Sequence, residues 1–255
     1  MATATSISPS PASSYDDGET SWLENKGGWK FEQHVLLRLS GPINAIVADI
    51  DRNGSPDIVG LISQEWEEIW VFSNEAPGRV ASKMIWGSTN ADFGSSWISL
   101  ADLDRDGDLD ILVQQWRRLR LRPCKQSPVA WRSVARKHGN LQFEFHRIAD
   151  LPGASSPQAG DLDGDGDIDV ALVSAYNNWG DPGALSLVWL ENNGRMQFAL
   201  HSIASSPTQL ITLALGDLDG DGRLDLVTGG MYVSRPYDRM SRVTLWKNNG
   251  PPPQR

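Results

Sequence analysis

The sequence predicts an all-β fold: a β-propeller of about four to five four-stranded blades, closed or as a partial ring. Three observations predict it. A nine-residue acidic stretch occurs four times, as DIDRNGSPD at 49–57, DLDRDGDLD at 102–110, DLDGDGDID at 161–169 and DLDGDGRLD at 217–225. Its copies start 53, 59 and 56 residues apart, a period that marks an array of similar supersecondary units. Each copy leads into a short strand-like run (Ile-Val-Gly after Asp57, Ile-Leu-Val after Asp110, Val-Ala-Leu-Val after Asp169, Leu-Val-Thr after Asp225), and similar runs precede three of the four.

The acidic stretch therefore joins the two strands of a hairpin. Its carboxylates at positions 1, 3, 5 and 9 crowd onto a short loop, and the Gly at position 6 permits a sharp turn. Crowded carboxylates repel one another and favour protonation unless a cation sits among them. Hard oxygen donors on a flexible loop suit Ca²⁺ better than Mg²⁺, which demands a tighter octahedron, or Zn²⁺, which prefers nitrogen and sulfur. The start of the stretch is like that of an EF-hand loop, but its last carboxylate comes at position 9 and strand, not helix, follows.

The remaining strands come from a second pattern. Trp22-Leu23-Glu24-Asn25 is followed by Lys26-Gly27-Gly28 and Phe31-Glu32-Gln33-His34. Trp189-Leu190-Glu191-Asn192 is followed by Asn193-Gly194 and Phe198-Ala199-Leu200-His201, and Trp246-Lys247-Asn248-Asn249 by Gly250. Asn-Gly between strand-like runs marks a tight hairpin, because the turn needs positive φ. The unit thus has strand 1 entering the acidic loop, strand 2 leaving it, strand 3 carrying W-x-x-N and strand 4 carrying F-x-x-H. A parallel β-helix would repeat at a much shorter period.

These residues resemble the FG-GAP/VCBS repeats, the calcium-binding propeller repeats also found in integrin α-subunits. The resemblance rests on D-x-D-x-D-G-x-x-D followed by a D-[IL]-V start of strand, and on W-x-x-N-x-G followed by F-x-x-H-x-I. It covers about residues 21–250, with 1–20 expected as a disordered tail and 251–255 as a C-terminal tail. It implies up to four Ca²⁺, held by side chains at loop positions 1, 3, 5 and 9 and by the backbone carbonyl of position 7 (Ser55, Asp108, Asp167, Arg223). The implied ligands are Asp49, Asp51, Asn53 and Asp57; Asp102, Asp104, Asp106 and Asp110; Asp161, Asp163, Asp165 and Asp169; and Asp217, Asp219, Asp221 and Asp225. The first set has one carboxylate fewer and is expected to bind most weakly. The family serves in adhesion receptors, lectins and lyases, so the resemblance speaks to fold and metal more than to ligand.

Composition agrees with this reading. The net charge is −9, but the four loops hold 17 of the 32 acidic residues and only three bases, Arg52, Arg105 and Arg223. Four bound Ca²⁺ would bring −9 to −1, so the acidity is metal-site charge rather than an acidic interaction face. A single Cys excludes an internal disulfide framework. No stretch is long and apolar enough to be a membrane-spanning helix, and no signal peptide is visible; an extracellular or cell-surface location is implied by the family alone.

Two places depart from the pattern. The fourth strand of the first repeat, near Val80 to Ile85, lacks F-x-x-H. The segment 117–137 lacks W-x-x-N-x-G where the second repeat's strand 3 is due, and it holds eight bases, no acid and Cys124. It reads as a basic insertion, as a local reading-frame error, or as a basic patch for an acidic glycan or nucleic acid. Only Trp116 and Trp131 interleave its bases, so nucleic-acid binding is not expected. The chain opens and ends at strand 3, so the N-terminal strand 4 is available to complete the last blade by exchange; the alternative is a ring completed by missing blades or another chain.

His34, His146 and His201 recur at one phase of the repeat and read as blade packing rather than as catalysts. A carboxylate bound to calcium is a poor proton shuttle, which disfavours catalysis at the loops. Strand parity puts the acidic loops and the Asn-Gly turns at one end of each sheet. The opposite end receives irregular loops carrying aromatics beside amides and charges: Trp66, Trp116, Tyr176, Trp179, Tyr232 and Tyr237. Flat aromatics with amides suit sugar rings or a protein epitope, and variable loops on a rigid scaffold are where function usually sits. The expected function is a calcium-stabilised binding or adhesion module for carbohydrate or protein. The alternatives are a polysaccharide lyase or hydrolase on the same scaffold, with His138 or Tyr237 near Arg235 or Arg239, or a fragment of a larger extracellular repeat protein.

Overall fold

The computed structural model of the chain describes residues 3–9, 18–63, 66–88, 94–115, 131–137, 141–231, 237–239 and 241–250. It is an all-β structure of small sheets in which chain neighbours pair. Strands β1 (Thr3–Pro9), β2 (Gly18–Asn25) and β3 (Phe31–Arg38) form a three-stranded sheet. Strands β4 (Pro42–Ala48), β5 (Asp57–Ile62), β6 (Glu68–Ala76) and β7 (Arg79–Gly87) form a four-stranded one. So do β8 (Ser95–Ala101), β9 (Asp110–Gln115), β10 (Trp131–Lys137) and β11 (Phe143–Arg147), and likewise β12 (Ala154–Gly160), β13 (Asp169–Ser174), β14 (Leu187–Asn192) and β15 (Phe198–Ala204). The last sheet has three strands, β16 (Leu210–Gly216), β17 (Asp225–Gly230) and β18 (Val243–Trp246).

The acidic loops join β4 to β5, β8 to β9, β12 to β13 and β16 to β17, as the hairpin reading requires. The second strand of each repeat is the buried one. All six residues of β13 are buried, because Val-Ala-Leu-Val offers apolar surface to both faces. The outer strand β15 is mostly exposed. Each strand 1 is preceded by a residue of positive φ: Gly41 (82°), Gly94 (62°), Gly153 (62°) and, where glycine is absent, Gln209 (57°). A Cβ on Gly153 would collide with the backbone carbonyl of Tyr176, so this turn has both a conformational and a steric need for glycine.

The chain divides into two compact units, Met1–Ile98 with Lys137–Glu144, and Ser99–Arg136 with Phe145–Arg255. The first has a core around β5 and β6, with Val59, Leu61, Ile69, Val71 and Phe72 almost wholly buried. In the second, Leu103, Leu112, Leu151, Val170, Leu172, Val188 and Leu190 form one cluster. Ala171, Val173, Leu187, Leu210, Leu213 and Leu226 form another on the opposite side of β13, where β16 packs against β12 and β13.

Two strands lie where no motif marks them. Residues 1–20 contain strand β1, which pairs antiparallel with β2 in the register Thr5↔Trp22 and Ile7↔Thr20; Thr and Ile alternation supports a strand even in a polar segment. The segment 117–137 supplies its missing strand 3 as β10, paired with β9 through Val134↔Leu112 and Ala135↔Ile111. Register depends on backbone pairing and not on the W-x-x-N signature, which is why the strand survives its loss. The remaining residues of that segment lie outside the described ones.

Candidate metal centre

The four acidic loops adopt one conformation, held by the same set of hydrogen bonds. Position 6 donates its N–H to the first carboxylate: Gly54 to Asp49 Oδ2 at 2.9 Å, Gly107 to Asp102 at 2.9 Å, Gly166 to Asp161 at 3.0 Å and Gly222 to Asp217 at 2.9 Å. Position 5 donates to the carboxylate of position 3, from 3.1 Å (Asn53 to Asp51; Asp165 to Asp163) to 3.3 Å (Asp221 to Asp219). Position 7 donates to the position 5 side chain at 2.7–3.0 Å (Ser55 to Asn53, Arg223 to Asp221). Position 2 donates to the final Asp: Ile50 to Asp57 at 3.0 Å, and Leu103, Leu162 and Leu218 to Asp110, Asp169 and Asp225 at 3.1 Å.

Gly at position 6 meets the expected need for positive φ. Position 4 has the same need, with Arg52 at 61°, Arg105 at 59°, Gly164 at 82° and Gly220 at 80°. The Gly of D-x-D-G-D-G in the last two loops was the signal for it. The frame turns side-chain oxygens inward: those of Asp49, Asp51 and Asp57, of Asp102, Asp104 and Asp106, of Asp161, Asp163 and Asp169, and of Asp217, Asp219 and Asp225 lie within 4.8 Å of one another in each loop.

The closing carboxylate is buried in every loop: Asp57 at 1 %, Asp110 at 2 %, Asp169 at 0 % and Asp225 at 2 % exposed. Burial pushes the Asp57 and Asp169 carboxyls above their ordinary value, against the backbone N–H bonds that pull them down. Burial also raises Asp163, helped by its acidic neighbours. In the last loop, Lys247 bonds Asp219 and holds its carboxyl below the ordinary value.

Strand 3 supports the loops from behind. Asn74, Asn192 and Asn248 donate their backbone N–H groups to Asp57, Asp169 and Asp225 Oδ1 at 2.7, 2.8 and 2.8 Å. The W-x-x-N turn and the acidic loop therefore share one end of the sheet, as strand parity requires. The fourth repeat departs from the expected alignment by one residue. Trp246 pairs with Leu226, whereas Trp189 pairs with Ala171, so Leu245 takes the Trp189 position and Asn248 takes that of Asn192. Side chains alternate along a strand, so the one-residue offset sends Trp246 to the other face, where its Nε1 donates to Thr228 Oγ1 at 2.9 Å.

Two of the recurrent histidines stack on the Trp of W-x-x-N. His34 stacks on Trp22 at 4.4 Å and 15°, and His201 on Trp189 at 4.7 Å and 29°. Their Nε2 atoms lie 3.0 Å from Glu24 and 2.6 Å from Glu191, the Glu of W-x-E-N, a partner the sequence pattern contained but did not single out. Lys26 bonds both Glu24 and Glu32, and with His34 holds the Glu24 carboxyl below its ordinary value.

At the opposite end the aromatics differ in availability. Trp66 is exposed, with its Nε1 donating to Ser40 Oγ at 3.1 Å. Next to it Glu67 is fully buried and accepts from Ser95 N at 2.6 Å and Ser95 Oγ at 2.7 Å, anchoring the loop. Tyr237 is exposed on a short 3-10 turn, Tyr176 is half-buried, and Trp179 is buried with its carbonyl 3.3 Å from Arg239 Nη1. Trp116, Tyr232, His138 and Arg235 lie outside the described residues.

No curated protein matches the chain at a significant level. Residues 161–228 match the model of the FG-GAP-like repeat, from the first Asp of the third loop, through β13–β16 and the fourth loop, to Thr228 in β17. The integrin-α-like resemblance read from the acidic loops and W-x-x-N thus holds where those motifs are most regular, and the chain carries an FG-GAP-like repeat.

Proposed function

We propose that the four acidic loops bind Ca²⁺, and that the metal is a structural staple in a propeller-type binding module. One observation carries this reading: four loops from separate hairpins impose one hydrogen-bond frame that aims crowded carboxylate oxygens at a common point. A frame that gathers like charges without a counter-ion works against itself. The donors are all oxygen, which favours Ca²⁺ over Zn²⁺. Asp102 Oδ1 supports the fit, because it is a buried carboxylate oxygen with no hydrogen-bond partner among the described residues. The proposed ligands are the side chains at positions 1, 3, 5 and 9, with Asn53 supplying an amide oxygen in the first loop and the position 7 carbonyl completing each set. Bound calcium supplies charge neutralisation; the chain's own residues supply the pre-shaped turn and the buried closing carboxylate.

Ligand binding then falls, within each unit, at the end of the sheets opposite the acidic loops, where Trp66 in the first unit and Tyr237 in the second each expose an aromatic face; the loop of Trp66 is anchored by buried Glu67. Carbohydrate or an extracellular protein fits those faces. Thermal unfolding with calcium and with chelator tests the metal reading: a higher midpoint with calcium is expected, and an unchanged midpoint overturns it. A glycan array probed with the calcium form tests the ligand reading, with Trp66→Ala and Tyr237→Ala expected to lose binding while keeping the calcium-dependent midpoint.

A further inference from the structure

The second unit contains three of the acidic loops, and a continuous line of hydrogen bonds runs through them. Asp110 Oδ2 accepts from the N–H of Leu103 at 3.1 Å. The carbonyl of that same Leu103 accepts from the side-chain Nδ2 of Asn192 at 2.9 Å. Asn192 then donates its own backbone N–H to Asp169 Oδ1 at 2.8 Å. The pattern repeats one loop further on. Asp169 Oδ2 accepts from Leu162 N at 3.1 Å, Leu162 O accepts from Asn248 Nδ2 at 2.7 Å, and Asn248 N donates to Asp225 Oδ1 at 2.8 Å. The closing carboxylates of loops 102–110, 161–169 and 217–225 are therefore joined, each to the next, through the position 2 residue, which uses its N–H on one side and its carbonyl on the other, and one asparagine.

We propose that Asn192 and Asn248 are positioning residues that couple these three loops, so that a cation bound in one raises the affinity of its neighbour. The inference rests on the reading of the loops as calcium sites. Each asparagine has two tasks that no other side chain performs at once in this line. Its amide also donates to the peptide before the closing Asp of its own loop (Ile168 O at 3.0 Å, Leu224 O at 3.2 Å), so both ends of the bridge are pinned. Leu103, Asn192 and Asp169 are almost fully buried, which keeps water from replacing these bonds. When a cation orders the closing carboxylate of one loop, it orders the position 2 residue whose N–H the carboxylate holds. The carbonyl of that residue holds the asparagine side chain, and the asparagine's backbone N–H in turn holds the next closing Asp. The second loop then has less conformational entropy to lose on binding. A solvent-side tether reinforces the first junction: Arg105 of loop 102–110 lies with Nη1 3.8 Å from Asp167 Oδ1 of loop 161–169.

The test is a calcium titration of the full chain followed by hydrogen–deuterium exchange, which gives a midpoint for the peptide covering each loop. The middle loop is emptied with Asp163→Asn plus Asp165→Asn. The midpoints of loops 102–110 and 217–225 are expected to move to calcium concentrations at least about five-fold higher, the lower end of ordinary coupling between sites. In Asn248→Ala, loop 217–225 is expected to have a weakened midpoint that no longer depends on the middle loop; Asn192→Ala does the same for loop 102–110. Outer-loop midpoints unmoved by emptying the middle loop overturn the coupling, and that measurement needs neither asparagine variant to fold. Dependence on the middle loop that persists in Asn248→Ala overturns the asparagine's role. All four loops moving together marks general destabilisation and also overturns it. Absence of calcium-dependent protection in every loop of the unaltered chain overturns the calcium reading itself, and is thereby distinguished from independent binding at the three loops.

Discussion

Loop 49–57 and loop 161–169 share a hydrogen-bond frame and differ in what holds it closed. In the first, the fifth position is Asn53, whose amide donates to Asp51 Oδ2 at 3.1 Å and to the Asn74 carbonyl at 3.2 Å. The protein's own donors thus brace the loop against strand 3. In the second, the fifth position is Asp165, which when ionised only accepts, and the nine residues hold five acids. The first loop would offer less charge to a cation and would depend on it less. The second gathers more charge and has more to gain from neutralisation. Repeats of one motif can thus divide between a loop braced by its own donors and a loop that carries more unbalanced charge.

Chelation gives the largest expected contrast. With calcium about a hundredfold above its dissociation constant, each occupied site adds about 2.7 kcal/mol, or about 5–10 °C for a chain of this size. Hydrogen exchange after chelation is expected to rise more in β13 than in β5; the reverse order breaks the comparison. Exchanging the fifth residues comes next. Asn53→Asp is expected to tighten calcium binding at the first loop, and Asp165→Asn to weaken it at the third, each on the order of tenfold by titration calorimetry, because ligand charge tunes affinity. Equal affinities before and after the exchange remove the fifth position from the account.

The pH dependence is smaller and its sign is set by burial. Asp57, Asp163 and Asp169 are raised above 3.8. A raised carboxyl holds its proton more firmly folded than unfolded, so its contribution is fully present below the unfolded value and is lost as pH rises through the raised one. A calcium ion bound there would replace that proton. The gap between calcium-loaded and chelated melting midpoints is therefore expected to widen as pH rises above 3.8 toward neutrality, and to close on acidification. A gap that grows on acidification contradicts the burial argument. The smallest effect concerns position 4 of the first loop, where Arg52 has φ 61°. Arg52→Gly relieves a left-handed backbone cost of about 1 kcal/mol, partly offset by the freer unfolded chain, so chemical denaturation is expected to show a change from zero to about 1 kcal/mol in favour of glycine.

Much of this architecture was legible in the chain. The four-strand grammar, the hairpin at each acidic loop and the packing role of His34 and His201 follow from short-range patterns that local backbone geometry enforces. Other features were not. In strand β1 the Thr and Ile alternation is masked in the sequence by Ser and Pro neighbours, and the pairing with β2 reveals the strand. Strand β10 has lost the motif of its position. In the fourth repeat the Trp that marks strand 3 stands one residue out of register, and only the ladder with β17 shows that Asn248, not Asn249, does the work of Asn192. The aromatic list mixed exposed Trp66 and Tyr237 with buried Trp179, because exposure depends on what packs over a loop rather than on its composition.

By itself the sequence determined the repeat, the turn chemistry of each acidic loop and the oxygen donors gathered there, since these rest on residues within nine positions of one another and on the φ that glycine permits. The tertiary structure alone decided which strands share a sheet, which carboxylates are buried, and that the amides of Asn192 and Asn248 reach back to the carbonyls of Leu103 and Leu162, 89 and 86 residues away. Bonds of that separation form only when packed hairpins bring distant peptides together, and no local pattern encodes which peptide will be waiting.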